Sequence, residues 1–369
     1  MSDSLQKRRK SSQSSRKQST SKDTPMLKKV KSDVSTKVMN DTLKFTVHKQ
    51  YKKIRASTMV LPHGPVNTPI FMPVGTKGTI KGLTSQEMES LDCWLLLGNT
   101  YHLASKPGTD YLERFGGLHK FMNWKRNILT DSGGFQMVSL SKLCEITEEG
   151  VHFTNPYDEE KKIFLRPEDS IHAQNQIGSD IMMALDDVVK TTTEGPRMEE
   201  AMHRTCRWIH RNFEAHEKPE SQNLFPITQG GLNLELRGKC LEEFSKLDAK
   251  GFAIGGLSGG EEKEDFIRIV AFSAEKLAKD KPRYLMGVGF PEDCLLCACL
   301  GVDMFDCVYP TRTARFGTAF GKTGNIKLKN AKYKYDYRPI VEGCECECCQ
   351  NYTRAYLHTI AGHEEVAGM

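Results

Sequence analysis

Eight short apolar runs, each giving way to glycine or a polar side chain, restrict what this chain can fold into more than any other feature. They lie at 70–74, 94–97, 128–129, 181–185, 225–227, 252–254, 284–286 and 304–308. Runs this short suit buried strands. Amphipathic stretches separate most of them. Behind Pro196, residues 198–216 carry Met198, Met202, Trp208, Ile209 and Phe213 on one face. The stretches 234–247, 266–277 and 291–300 repeat the pattern. Strands alternating with helices predict a parallel α/β sheet, and eight of them predict a closed (β/α)8 TIM barrel.

The endings of the runs point to function. They are Gly75-Thr76, Gly98-Asn99-Thr100, Asp131-Ser132-Gly133-Gly134, Asp186-Asp187, Gln229-Gly230-Gly231, Gly255-Gly256, Gly287-Val288-Gly289 and Asp306. Barrel enzymes build their sites at the carboxyl ends of the strands. Glycines there let a flat ligand approach the backbone, and carboxylates supply acid, base or nucleophile. Eight polar endings in succession are more than ordinary turns require. In the last run Asp306 sits among Met304, Phe305, Cys307 and Val308, before Pro310, which cannot donate to a sheet ladder. Arg312 and Arg315 follow in a loop, spaced to grip phosphates. On this segment alone, a structural ion pair between Asp306 and Arg312 explains the residues equally well.

Charge is unevenly spread. Residues 1–40 hold eleven Lys/Arg against three Asp, a net of +8, whereas the remaining 329 residues hold 41 against 44 acids, a net of −3. The body is near neutral, so nucleic-acid affinity there needs local patches. The Ser/Lys-rich tail, 1–40, is expected to be disordered. Its Lys7-Arg8-Arg9-Lys10 and Lys28-Lys29-Val30-Lys31 fit nuclear-import signals, RNA-contacting arms or a solvated tail. No apolar run approaches twenty residues and no signal peptide is visible, which predicts a soluble intracellular protein without membrane insertion. Twelve cysteines then argue for thiols or metal rather than disulfides. Cys344, Cys346 and Cys349, with Cys348 beside them, suggest a structural zinc. Leu43, Phe45 and Val47, resuming at 57–61, predict an N-terminal antiparallel hairpin. Alternation around Asn155-Pro156 within 144–165 predicts an inserted hairpin, either a lid or rim or a decoration.

Asp131 to Gln136, Gly178-Ser179-Asp180-Ile181, Gln229-Gly230, Gly255-Gly256-Leu257, residues 285–289, residues 303–308, Pro310-Thr311-Arg312 and the Cys-x-Cys-x-x-Cys cluster occur together and in order. In these motifs the chain, from about Phe45 to Leu357, resembles the tRNA-guanine transglycosylase family, and within it the catalytic chains of the eukaryotic branch. The resemblance implies a zinc-containing barrel, a pentosyltransferase. Its members exchange guanine at the wobble position of tRNAs with GUN anticodons (the Asp, Asn, His and Tyr types) for a 7-deazaguanine base, here queuine.

Carried over by position, Asp306 would be the nucleophile on the ribose and Asp131 the proton acceptor and general acid/base. Asp131, Ser132, Gly133, Gly134, Phe135, Asp186, Gln229, Gly256 and Met286 would hold the base. Gly287, Val288, Gly289, Phe290, Pro291, Glu292 and Asp293 would contact RNA. So would Thr311, Arg312, Thr313, Ala314 and Arg315. Bacterial members carry Val where this chain has Gly259 and Cys where it has Val188, so the resemblance implies room for the cyclopentenediol of queuine. Cys344, Cys346 and Cys349 would ligate one structural Zn(2+) per chain. The family's fourth ligand, a histidine on a barrel-closing helix, would lie beyond Met369, which leaves Cys348, His358, His363 or water for that position.

The expected division is therefore a tail at 1–40, a barrel at 41–315 and a zinc-binding subdomain at 316–369. The resemblance further implies a heterodimer with a homologous non-catalytic subunit and a cytoplasmic location, with nuclear or mitochondrial-surface association as alternatives. Two rival readings are a non-catalytic RNA-binding or accessory subunit, or an inactive truncated isoform, and a zinc hydrolase built on the cysteines. Buried carboxylates weigh against the first, and thiolates far from the strand ends weigh against the second.

Overall fold

A computed structural model describes residues 42–135, 144–155 and 158–361. The basic tail, Gln136, Pro156 and His363 lie outside the described residues. Eight parallel barrel strands occupy the anticipated runs: β1 (Ile70–Gly75), β2 (Leu95–Gly98), β3 (Asn127–Thr130), β4 (Ile181–Met183), β5 (Asn223–Phe225 and Ile227–Thr228), β6 (Phe252–Ile254), β7 (Arg283–Leu285) and β8 (Met304–Cys307). β8 lies beside β1, with Asp306 opposite Met72. β5 is broken at Pro226; its first half pairs with β4 and its second with β6, which closes the barrel. Proline has no N–H for the ladder, but the Pro226 carbonyl still accepts the Ala253 N–H at 2.9 Å.

Alternation sorts the strand residues into two layers. Met183, Ile227, Tyr284 and Met304 face the barrel interior. Met182, Leu224, Leu285 and Phe305 face the surrounding helices, where they meet Met198, Met202, Phe244, Phe266 and Val270. Because Asp306 lies two residues beyond Met304, the same period directs its carboxylate inward.

The N-terminal hairpin is a three-stranded antiparallel sheet, Lys44–Tyr51, Ile54–Leu61 and Gly64–Thr68. Its Leu43, Met59, Leu61 and Val66 pack into the interior cluster and seal the amino end of the barrel. The seal is also polar. Arg55 donates to both oxygens of buried Asp303, from Nε at 2.8 Å and Nη2 at 2.5 Å. His63 Nδ1 and His119 Nε2 lie 2.6 and 3.1 Å from the two oxygens of Asp180, whose Oδ2 also accepts the Ile128 N–H. Those two hydrogen bonds hold the Asp180 carboxyl below its ordinary range against the effect of burial, and the same contact raises His63.

The insertion is likewise three-stranded, Cys144–Ile146, Val151–Asn155 and Asp158–Leu165. Val151 and Phe153 pack against Tyr101, Leu185 and Trp208. The Glu148 carboxylate is gripped by Arg207 at 2.7 Å, and its carbonyl accepts the Trp208 indole N–H. These contacts make the insertion a rim beside the β4 end. Beyond β8 the expected loop is a single helical stretch, Tyr309–Arg315, with Pro310 in its first turn, where a missing N–H costs nothing. A small core of Ile326, Leu328, Tyr333 and Ala361 gathers the C-terminal residues.

Candidate active site

Asp306, at the end of β8, is held from one side. Tyr284 Oη donates to Oδ1 at 2.6 Å and the Gly287 N–H to the same oxygen at 2.8 Å. Among the described residues Oδ2 accepts no hydrogen bond and Arg312 forms no ion pair, so the structural-pair alternative for Asp306 fails. Burial raises this carboxyl; the Gly287 and Tyr284 donors oppose that and favour the ionised form. Burial together with the Asp306 and Asp131 carboxylates pushes the Tyr284 phenol well up, so it stays a donor.

Asp131, at the end of β3, is oriented by the end of β2. Asn99 Nδ2 donates to one oxygen at 2.5 Å and the Thr100 N–H to the other at 2.9 Å. Ser132 is buried beside it, Gly133 has φ +84°, the Gly134 N–H donates to Ser132 Oγ at 3.3 Å, and Phe135 is exposed. After β4, buried Asp186 accepts from Gln229 Nε2 at 2.6 Å. Burial pushes the Asp186 carboxyl up to about 7; Gln229 opposes the rise and neighbouring Asp187 adds to it. Asp187 is itself neutralised by Arg197 at 2.6 Å and Arg204 at 2.5 Å. Gly256 turns at φ +67°, and a Cβ there would meet Gln229 Oε1 at 2.4 Å. Met286 sits half-buried at the end of β7. The fold thus brings Asp131, Asp186, Gln229, Gly256, Met286 and Asp306 to the carboxyl end of one barrel. Gly259 abuts the loop after β4: a Cβ would reach Thr191 Oγ1 at 2.4 Å.

Outside this mouth, a cavity of about 370 Å³ is lined by Ser258, Lys263, Phe290, Cys307, Tyr309 and Arg312. The Phe290 and Tyr309 rings stand 4.2 Å apart, and Tyr309 and Phe320 5.7 Å. Of the first predicted RNA segment, Gly287, Phe290, Pro291 and Glu292 are exposed. Val288 and Gly289 are buried, and Asp293 is buried with its carboxylate on Lys263 Nζ at 2.7 and 2.8 Å. In the second, Arg312 and Ala314 are exposed, while the Thr311 and Thr313 hydroxyls donate to backbone carbonyls of their own helix. Arg315 is half-exposed and donates to the Thr311 carbonyl.

The sulfurs of Cys344, Cys346 and Cys349 lie within 4.8 Å of one another. The Cys349 N–H, first, and the neighbouring Cys344 thiol lower the Cys346 thiol, as suits a metal-binding thiolate. Cys348 stays outside this group, and burial raises its thiol. The His358 Nδ1 is engaged with the Leu328 carbonyl at 2.7 Å. The donor set fits one metal ion held by three thiolates. His63, His119 and Asp180 also converge, but the two imidazoles are stacked at 3.7 Å with planes 12° apart. No single ion lies in both ring planes, so this group is a clasp.

Three residues of the site, Tyr284, Asn99 and Thr100, carry little signal in the sequence. Tyr284 is embedded in an apolar strand and reads as core; Asn99-Thr100 was visible only as one more polar strand ending.

A family model described as queuine tRNA-ribosyltransferase matches residues 50–369. The queuine tRNA-ribosyltransferase catalytic subunit of Caenorhabditis briggsae is 54% identical over 314 residues, covering 85% of this chain and 78% of that protein. The catalytic subunit of Schizosaccharomyces pombe is 53% identical over 321 residues, covering 85% and 79%. The queuine tRNA-ribosyltransferase of Bacillus subtilis is 50% identical over 308 residues, covering 84% and 81%. Matching over most of its own length and most of theirs, with the motif residues gathered at one barrel mouth, the chain belongs to the queuine tRNA-ribosyltransferase family.

Proposed function

We propose that the chain is the base-exchanging catalytic member, replacing guanine at the wobble position of GUN-anticodon tRNAs with queuine. The observation that carries this reading is the one-sided hold on Asp306: among the described residues Oδ1 takes both donors while Oδ2 takes none. Oδ2 attacks C1′ of the ribose as the bond to N9 breaks, and the bonding pair leaves with guanine, which takes up a proton from Asp131. The resulting ester conserves the glycosidic bond energy. Asp131 then accepts the proton of the incoming base, whose nitrogen attacks C1′ and expels the Asp306 carboxylate. Asp186, Gln229 and the Gly256 N–H read the base edge, and Met286 and Phe135 cover its faces. Phe290, Tyr309 and Arg312 line the adjacent path for single-stranded RNA, aromatic rings beside a cation being suited to that ligand. Retention of Asp306 with both its donors favours catalysis over the accessory-subunit reading.

Cys344, Cys346 and Cys349 would hold a structural zinc, tying the C-terminal residues to their small core. The purified protein should contain one zinc per chain, and chelation should lower its melting temperature; a metal-free preparation of unchanged stability overturns the assignment. The division into a tail at 1–40, a barrel at 41–315 and a zinc-bearing subdomain at 316–369 belongs to the same proposal, as does a homologous partner chain. Exposed Tyr111 and Phe115, each in edge contact with exposed Phe121, and exposed Tyr352 and Tyr356 supply apolar surface for that partner.

The test is incorporation of labelled guanine into unmodified tRNA. Wild-type protein should exchange and yield a covalent RNA adduct. Asp306→Asn should lose at least 1,000-fold in exchange, on the order of removing a nucleophile, and form no adduct, with tRNA affinity within twofold. Full exchange by the variant excludes Asp306 as nucleophile.

A further inference from the structure

Below the glycine turns after β5 and β6 lies a guanidinium that, among the described residues, touches no carboxylate and feels only Glu261 at a distance. Arg237, in the first turn of the helix Leu234–Ser245, is completely buried. Its Nε donates to the Gly231 carbonyl at 2.8 Å, Nη1 to the Thr228 carbonyl at 3.2 Å and Nη2 to the Gly255 carbonyl at 2.7 Å. Among the described residues no carboxylate forms an ion pair with it. Burial lowers it to about 10, which leaves it charged at neutral pH. A buried cation without a contacting carboxylate is costly, and what it gains here is the three carbonyls.

The carbonyls it gathers belong to the loops after β5 and β6. In a planar trans peptide the C=O of one residue and the N–H of the next point in opposite directions. Holding the Gly255 carbonyl on Nη2 therefore turns the Gly256 N–H away from the guanidinium. The Thr228 carbonyl, which also accepts the Gly255 N–H at 3.1 Å, locks the two turns together. The Gln229 N–H, on the opposite side of that peptide, reaches the Cys240 sulfur at 3.4 Å on the same helix. Gly230 packs so closely over the helix that a Cβ would come within 2.7 Å of the Arg237 nitrogen.

We propose that Arg237 is a positioning residue for nucleobase recognition: by holding the Thr228, Gly231 and Gly255 carbonyls on one planar guanidinium, it presets the Gly256 N–H and the Gln229 amide for the edge of the base. It touches no substrate atom. The inference rests on the base-exchange reading and goes beyond it in tracing recognition to a side chain outside the pocket. Lysine is no substitute, because its donors radiate from one point and do not match a planar fork.

The test is guanine exchange by wild-type, Arg237→Lys and Arg237→Met protein, with melting temperatures recorded. If wild-type protein does not exchange guanine, the functional reading itself fails. With an active wild type, both variants should raise the KM for free guanine at least tenfold and leave the KM for tRNA within twofold. A folded Arg237→Met variant with unchanged guanine KM, or one whose guanine and tRNA KM values rise in proportion, overturns the inference. Should neither variant fold, the wild type still decides, with nitrogen-15 arginine labelling. The Arg237 Nε–H should exchange with solvent far more slowly than the N–H of exposed arginines, and more slowly still with guanine added. Exchange as fast as that of exposed arginines overturns the inference.

Discussion

The two ends of the barrel use the same residue type for opposite purposes. β4 is flanked by Asp180 at its amino end and Asp186 at its carboxyl end; β8 is flanked by Asp303 and Asp306. At the amino end every carboxylate oxygen is answered: Asp303 by Arg55, Asp180 by His63, His119 and the Ile128 N–H. At the carboxyl end Asp131 and Asp187 are answered on both oxygens, but Asp306 and Asp186 only in part. Among the described residues Asp306 Oδ2 accepts no hydrogen bond, and Asp186 has the Gln229 amide, its own N–H and a like charge beside it. Burial raises Asp303 in spite of Arg55 and raises Asp186 to about 7, whereas two histidines hold the Asp180 carboxyl low. Stability and chemistry are separated along the barrel axis, by pairing at one end and by leaving an oxygen or a proton in play at the other.

The sharpest test of this division is to break the amino end. Arg55→Met leaves the Asp303 carboxylate with the Arg283 N–H at 2.8 Å but without its ion pair and should cost about 3–5 kcal/mol, the usual penalty for unpairing a buried ion. Denaturant unfolding would report it, while kcat per folded molecule should stay within twofold. A kcat that falls with stability intact would show that the two ends are coupled.

A middle-sized effect should follow from Asp186. Its folded pKa lies above its unfolded value, so the native state binds more protons between about pH 4 and 7. The unliganded protein should therefore lose stability as pH rises through that window. The ionised form is the one that accepts from the N–H groups of guanine. Guanine should therefore bind more tightly as pH rises towards 7, then level off, and its stabilising effect on the melting temperature should be larger at pH 8 than at pH 5. Asp186→Asn should flatten both profiles; a wild-type guanine affinity independent of pH from 5 to 8 would refute the assignment.

The smallest effect belongs to the exposed rim. Arg312→Ala should raise the KM for tRNA severalfold and reduce the slope of log affinity against log salt by about one, as for one lost phosphate contact. An unchanged slope would remove Arg312 from the RNA path.

Much of this was legible in the amino-acid order, because the relevant signals are local. Strand ends carrying Gly-Gly or Asp announce themselves, and the Cys-x-Cys-x-x-Cys spacing does so too. What stayed hidden depends on contacts between distant segments. Tyr284 looks like core until β8 brings Asp306 beside it, and Arg237 looks like a solvated helix residue until the turns after β5 and β6 settle on it. The third strand of the insertion, Cys144–Ile146, is too short to show an alternation. The break in β5 is marked only by Pro226, which by itself argues against a central strand. Pro310 ends a strand and starts a helix equally well, so the amino-acid order does not distinguish a loop from the helix that carries Arg312.

The seal at the amino end also bears on how the protein is made. Arg55 and Asp303 are separated by 248 residues. At roughly 5–20 residues per second, a ribosome delivers the second about 12–50 s after the first. Throughout that interval the N-terminal sheet has neither the barrel interior to cover nor the carboxylate for its arginine. Assembly of this molecule is thus a late event in translation, with the earliest-made strands waiting for nearly the last, and a nascent chain stalled before β8 would present that unfinished sheet to chaperones.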